Sequence, residues 1–267
     1  MVFKGKITVV LIALMLLAGC ADNLTAPEHI ARAKEFNQNG EYKSAEIELK
    51  NALKKAPNNP GARFMLGELY ANAGSGAAAE KELDKARLLG VAEKSLLIPY
   101  ARALVLQRKN RKLLDETVNF KILSESDQML VHVFRGDALL NIGKFSEASA
   151  EYDAVLKVHP DYILARLGNI KVAANRGELS AVEALIDELL KIAPEEPMAW
   201  NFYGDFFLGK SDLELAYKGF SKALEFSDSN FLVRAKRAIV LVDMRRPKES
   251  KLDVEILLRD APEYFMS

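Results

Sequence analysis

Two hydrophobic regimes divide the chain. After Lys4 and Lys6 comes an apolar run, ITVVLIALMLLA, from Ile7 to Ala18. Beyond Ala26 apolar residues recur instead at three- and four-residue spacing, the period of helices with one buried face. That second regime repeats itself. NGEYKSAEIELKNALKKAP (Asn39–Pro57), IGKFSEASAEYDAVLKVHP (Ile142–Pro160) and RGELSAVEALIDELLKIAP (Arg176–Pro194) share a glycine, an aromatic residue or leucine two places later, a small or branched residue and a closing proline. Pro160 and Pro194 lie 34 residues apart, and Pro194 and Pro262 twice that. Ala45 to Ala79 is 34, and Gly67, Gly136 and Gly204 are separated by 69 and 68. Prolines, alanines and glycines thus agree on a period of 34, with one extra residue between the second and fourth units.

The period predicts an all-α chain of helix pairs, with units starting near Ala26, Pro60, Lys94, Met129, Ile163, Pro197 and Phe231. Small residues let the two helices of a unit approach closely, and the proline cannot continue the second helix. Thr25-Ala26-Pro27-Glu28 reads as a capping box at the first helix start, and Ser211-Asp212-Leu213-Glu214 as another at a second-helix start. The third unit lacks the glycine and both alanines, and Pro99 is expected to delay its first helix.

The pattern resembles the tetratricopeptide repeat. The sixth unit carries its marks best, with Trp200, Tyr203-Gly204, Phe207, Ala216, Phe220 and Ala223; the second has Leu66-Gly67, Tyr70, Ala79, Leu83 and Ala86. The resemblance implies a right-handed superhelical solenoid of about seven helix–turn–helix repeats over residues 26–267; the nine prolines and fifteen glycines are spread out with no low-complexity linker, so one elongated unit is expected. The resemblance also implies a concave groove lined by the first helices, with repeat positions 2, 5, 9, 12 and 13 facing it. Position 9 holds Lys34, Glu68, Arg102, Asp137, Lys171, Asp205 and Ile239, the first six alternating in sign. Position 13 holds Asn72, Asn141 and Asn175; position 5 is mostly apolar, with Ile30, Phe64, Ile98, Val133 and Leu167, but has Asn201 in the sixth unit. One reading is a ladder of exposed opposite charges, each pair worth at most about 1 kcal/mol. The other is a mixed groove for a protein or an extended peptide, formed by Lys34, Phe64, Glu68, Asn72, Arg102, Asp137, Asn141, Lys171, Asn175, Asn201 and Asp205, in which asparagines bond a ligand backbone. The lysine–asparagine set of the chaperone-tail clamp in eukaryotic members is missing.

Charge narrows the partners. Lysine plus arginine and aspartate plus glutamate both number 37, so nothing basic marks a nucleic-acid binder. Of the three histidines, His29 and His132 fall at the fourth repeat position, where the sixth repeat has Trp200, a packing position; His159 lies elsewhere. No HExxH, CxxC, phosphate loop or GxSxG occurs, so neither catalysis, a cofactor nor a metal is expected.

The apolar run is too short for a bilayer span, which takes about 20 residues. A basic start, a short apolar core and a small-residue cut site describe a secretory signal. Here the site is Leu17-Ala18-Gly19-Cys20, which resembles the lipobox of bacterial lipoproteins. The resemblance implies a signal peptide over 1–19, acylation of Cys20 and a tether over 20–25. Two or three acyl chains hold a protein at a membrane where one does so only marginally. Ala21, not an aspartate, follows the cysteine, which under the enteric sorting rule favours the outer over the inner membrane, facing the periplasm. Cys20 is the sole cysteine, so no internal disulfide is available to the fold.

With this leader, the stretch from Ala45 to Val91 resembles the tetratricopeptide lipoproteins of the exosortase/PEP-CTERM system of Gram-negative bacteria. That group is linked to exopolysaccharide production and surface sorting, and its members are usually longer. The resemblance implies a membrane-anchored scaffold for protein partners in envelope or exopolysaccharide assembly or export. An adaptor that recruits cell-wall enzymes or outer-membrane assembly factors is the alternative; an enzyme or sugar-binding module would need a closed pocket of clustered aromatics or carboxylates. The seventh unit ends in RDAPEYFMS, where an eighth first helix would begin, and the expectation is that further repeats or a partner cover that end.

Overall fold

The computed structural model describes residues 24–120 and 123–260. The expected signal peptide, Cys20 and Pro262 therefore lie outside the described residues. Fourteen α-helices and no strand occur among those described. They follow one another in pairs: α1 (Ala26–Gln38) with α2 (Tyr42–Lys55), α3 (Pro60–Asn72) with α4 (Gly76–Leu88), and α5 (Glu93–Leu106) with α6 (Asn110–Glu116). Next come α7 (Glu125–Asn141) with α8 (Phe145–Leu156), α9 (Ile163–Arg176) with α10 (Leu179–Ile192), α11 (Pro197–Gly209) with α12 (Leu213–Phe226), and α13 (Phe231–Asp243) with α14 (Pro247–Asp260). Five of the seven expected starts are met to the residue. The fourth comes earlier, at Glu125, because Ser124 caps it by accepting from the Asp127 amide.

Three local expectations need correction or completion. The Thr25 box forms, its amide and hydroxyl both donating to Glu28 at 2.6 and 2.7 Å. The Ser211 box does not: Asp212 is the cap, accepting from the Leu215 amide at 3.0 Å, while Ser211 sits at φ 60°. Pro99 does not delay α5, which starts at Glu93 and carries the proline inside. The bond lost at Ser95 is offset by burial of Leu96, Leu97, Tyr100, Ala103 and Leu104 around it.

Each turn between paired helices holds one left-handed residue: Gly40, Gly74, Arg108, Gly143, Gly177, Ser211 and Arg245. They are spaced by 34, except for 35 between Arg108 and Gly143, so the extra residue lies in that interval. The four glycines are there for φ, not for space, since an added Cβ would meet nothing within 4 Å.

The described contacts divide into two compact units, the boundary falling between Gln107 and Arg108, inside the third repeat. In the first unit Ala33, Ala45, Leu49, Ala52, Ala62 and Leu66 belong to one buried cluster, and Leu83, Leu96, Tyr100 and Leu104 are buried as well. In the second, one cluster is built on Tyr152, another on Ile186 and Leu189, and a third on Phe220. The marker glycines are close-approach sites. A Cβ on Gly67 would stand 2.6 Å from Leu83; on Gly136 and Gly168 it would stand 2.5 and 2.4 Å from the Tyr152 ring; on Gly204, 2.6 Å from Phe220. Sequence spacing thus dictates packing: where the first helix drops its side chain, a large residue of the second fills the space.

Candidate functional site

The first helices carry the expected position-9 residues, and each meets different company. Lys171 of α9 donates to Asp137 of α7 at 3.0 Å, a rung between neighbouring repeats. Asp137 also accepts from the Tyr152 hydroxyl at 3.0 Å; burial first, then the Asp137 charge, pushes that phenol's pKa far above its ordinary value. Asp205 finds its cation elsewhere, in Lys236 of α13 at 2.7 Å, and Lys236 also donates to Asn201 at 3.1 Å. Arg102 donates to Asn72. Lys34 and Glu68 are exposed and make no ion pair with each other. Asn175 donates back to the Lys171 carbonyl at 2.9 Å, and Asn141 reaches Asn110 at 3.5 Å. Phe64 is half-buried. Position 5 is not uniformly outward: Val133 and Leu167 belong to the core, at 5% and 1% exposure.

A second constellation escaped the sequence reading. At repeat position 4 a basic residue grips an acid 19 residues later, on the second helix of the same repeat. His29 Nδ1 lies 2.5 Å from Glu48, with Arg32 at 3.4 Å from the same carboxylate. His132 lies 2.6 Å from Glu151, joined by Arg135 at 2.8 Å. Arg63 binds Glu82, with Lys85 at 3.0 Å. Arg234 and Arg237 hold Asp253 at 3.2 and 2.6 Å. Burial works to raise the Glu82 pKa, but hydrogen bonds from Arg63 and Lys85 outweigh it and hold the carboxyl below its usual range. In the sixth repeat the same two positions are Trp200 and Gly219, and the indole donates to the Pro194 carbonyl at 2.7 Å. The histidines are thus packing residues, as expected, but with a carboxylate behind them. The recurring separation of 19 is the signal that would have found it.

The first helices also border two cavities at equivalent repeat positions. Between the first and second repeats Ala33, Asn37, Met65, Glu68, Leu69 and Asn72 enclose about 30 Å³. Between the fifth and sixth, Ile170, Ala174, Phe202, Asp205, Phe206 and Gly209 border about 300 Å³. Each residue of the second set stands 137 positions after its counterpart. The large cavity has bulkier apolar walls and shorter polar positions: Asn37, Glu68 and Asn72 become Ala174, Asp205 and Gly209. Its edge also holds Lys210, which donates to Glu183 at 3.2 Å and lies over the Phe206 ring at 5.1 Å.

Two family models match parts of the chain. One described as tetratricopeptide repeat covers residues 36–92, and a second of the same description covers 135–194. Within residues 36–92 and 135–194 the helix pairs are tetratricopeptide repeats. Among solved structures, the chain is similar to a tetratricopeptide repeat protein from Parabacteroides merdae, with TM-score 0.68 and 19% identity over 86% of this chain and 91% of that one. It is similar to yeast Tom70, with TM-score 0.61 and 17% identity over 92% of this chain and 55% of that one. It is also similar to pilF of Pseudomonas aeruginosa, with TM-score 0.55 and 14% identity over 82% and 97%. At these identities the likeness carries the fold alone. No curated protein matches the chain.

Tetratricopeptide repeats generally form non-catalytic scaffolds that bind proteins. The polar groups of the site are spread along helices rather than converging on one point. Among the described residues no group of three histidine, cysteine, aspartate or glutamate side chains is placed to hold a metal ion, and no helix is long and apolar enough to cross a membrane.

Proposed function

We propose that the chain is a lipid-anchored, periplasm-facing scaffold that holds protein partners during envelope or exopolysaccharide assembly or export. The observation that carries the anchor is Leu17-Ala18-Gly19-Cys20 placed directly after a short apolar run with lysines before it. Acylated at Cys20, the chain would keep its first repeat within a few residues of the bilayer, on the outer membrane in preference to the inner. The scaffold role is supported by the tetratricopeptide fold and by a first-helix face that mixes exposed charges, asparagines and apolar side chains. The exopolysaccharide assignment rests on the resemblance of residues 45–91 to the exosortase-associated lipoproteins.

Fractionation of cells expressing the chain and its Cys20→Ala variant tests the anchor: the variant is expected in the soluble fraction, and unchanged membrane retention refutes lipidation. Crosslinked capture from membranes tests the role. Recovery of exopolysaccharide or export proteins supports it, and recovery of cell-wall hydrolases alone overturns it in favour of an adaptor.

A further inference from the structure

We infer that the cavity bordered by α9, α10 and α11 is the anchor pocket for one large apolar side chain of an extended, uncharged peptide. The inference rests on the scaffold reading above and names the chemistry of the segment it binds.

Size comes first. A dry apolar cavity of about 150 Å³ takes up a benzene ring, and this one offers about 300 Å³ beside Ile170, Phe202 and Phe206. The counterpart between the first and second repeats, at about 30 Å³, admits no such group. Charge comes second. The charged groups at and beside the pocket are paired with one another: Asp205 with Lys236, Lys210 with Glu183, Lys171 with Asp137. A charged ligand side chain would have to displace a partner, whereas a neutral one disturbs none. Continuity comes third. Repeat position 2 is occupied by Leu164, Met198 and Leu232, at intervals of 34 and at 39%, 44% and 54% exposure. The corresponding residues of the first three repeats are Pro27, Gly61 and Ser95, so the apolar row belongs to the second unit alone. Beside it Asn201 presents its oxygen to Lys236, leaving its amide hydrogens for a ligand carbonyl. Pocket, row and amide together describe an extended backbone with one deep apolar anchor and uncharged flanks.

The test is selection of a randomised heptapeptide phage library on the full-length chain, followed by fluorescence polarisation of the enriched peptides. Enrichment of a phenylalanine, tryptophan or leucine between uncharged residues is expected. Gly209→Trp should weaken these peptides at least tenfold with an unchanged melting temperature, since a Cβ there meets nothing within 4 Å. The double variant Ala174→Asn/Gly209→Asn, which copies the residues of the small cavity, should do the same and serves if the tryptophan unfolds the chain. Asn72→Trp at the equivalent first-unit position should leave binding intact. Peptides that enrich but ignore both cavity variants, or that carry charged anchors, overturn the pocket and leave the scaffold standing. A library from which nothing enriches overturns both.

Discussion

The space between the first two repeats and the space between the fifth and sixth are built from the same repeat positions, yet one is nearly closed and the other holds about 300 Å³. The repeat dictates where a cavity can form. The residues at three of its positions decide whether it does. Asparagine, glutamate and asparagine restrict the first; alanine, aspartate and glycine leave the second open, while Phe202 and Phe206 give it an apolar wall. A repeat protein can thus vary its surface locally without altering the frame that carries it.

The same contrast runs through the charged pairs of the two units, and it is open to measurement by chemical denaturation followed by circular dichroism. The largest difference is expected at the buried acids. Asp253→Ala strands Arg234 and Arg237, which cannot shed their charge, and should cost about 3–5 kcal/mol. Glu48→Ala leaves His29 and the half-exposed Arg32, whose charge water can solvate, and should cost about 1–3 kcal/mol; equal losses would refute the distinction. Next come the glycines. Gly204→Ala drives a methyl into the buried Phe220 ring and Gly67→Ala drives one into the equally buried Leu83, whose backbone nitrogen is also within 3.2 Å, so each should cost about 1–3 kcal/mol. A smaller effect of opposite sign is expected at the turns: Ser211→Gly relieves a left-handed serine and should stabilise by about 0.5 kcal/mol. The subtlest is a slope. Because the Glu82 pKa is lowered from 4.5 in the folded chain, its ionised form contributes stability above that pH and loses it as pH falls below. Glu82→Gln should therefore flatten the acid limb of the stability profile; an unchanged limb would mean that Glu82 does not contribute to it.

Much of this frame could be read from spacing alone. The period of 34, the helix pairs and the glycine contacts to Leu83, Tyr152 and Phe220 follow from small and large residues at fixed offsets. What escaped depended on chemistry between helices. A histidine at position 4 looks like any packing residue until its acid, 19 residues away, is seen across the pair. Ser211 looked like a cap because serine favours caps, but the chain needed that position for its left-handed turn. Pro99 looked like a barrier because its missing donor is local, while the leucines that compensate act through tertiary burial. Position 9 alternated in sign, yet only the Asp137–Lys171 rung closes along it, since Arg102 and Asp205 turn to Asn72 and Lys236 instead. The open cavity was invisible because it arises from the absence of side chains.

Trp200 is the single tryptophan of the chain. Its indole is bonded to the Pro194 carbonyl, its ring meets Tyr203 edge-on at 5.5 Å, and it shares α11 with Phe202 and Phe206 of the cavity wall. The molecule therefore carries one tryptophan, hydrogen-bonded and packed into the Phe220 cluster on the α12 side of the helix. Excited apart from the tyrosines, its emission will report the packing of α11 against α12, so that a loosening of that pair becomes a spectral event that needs no added label.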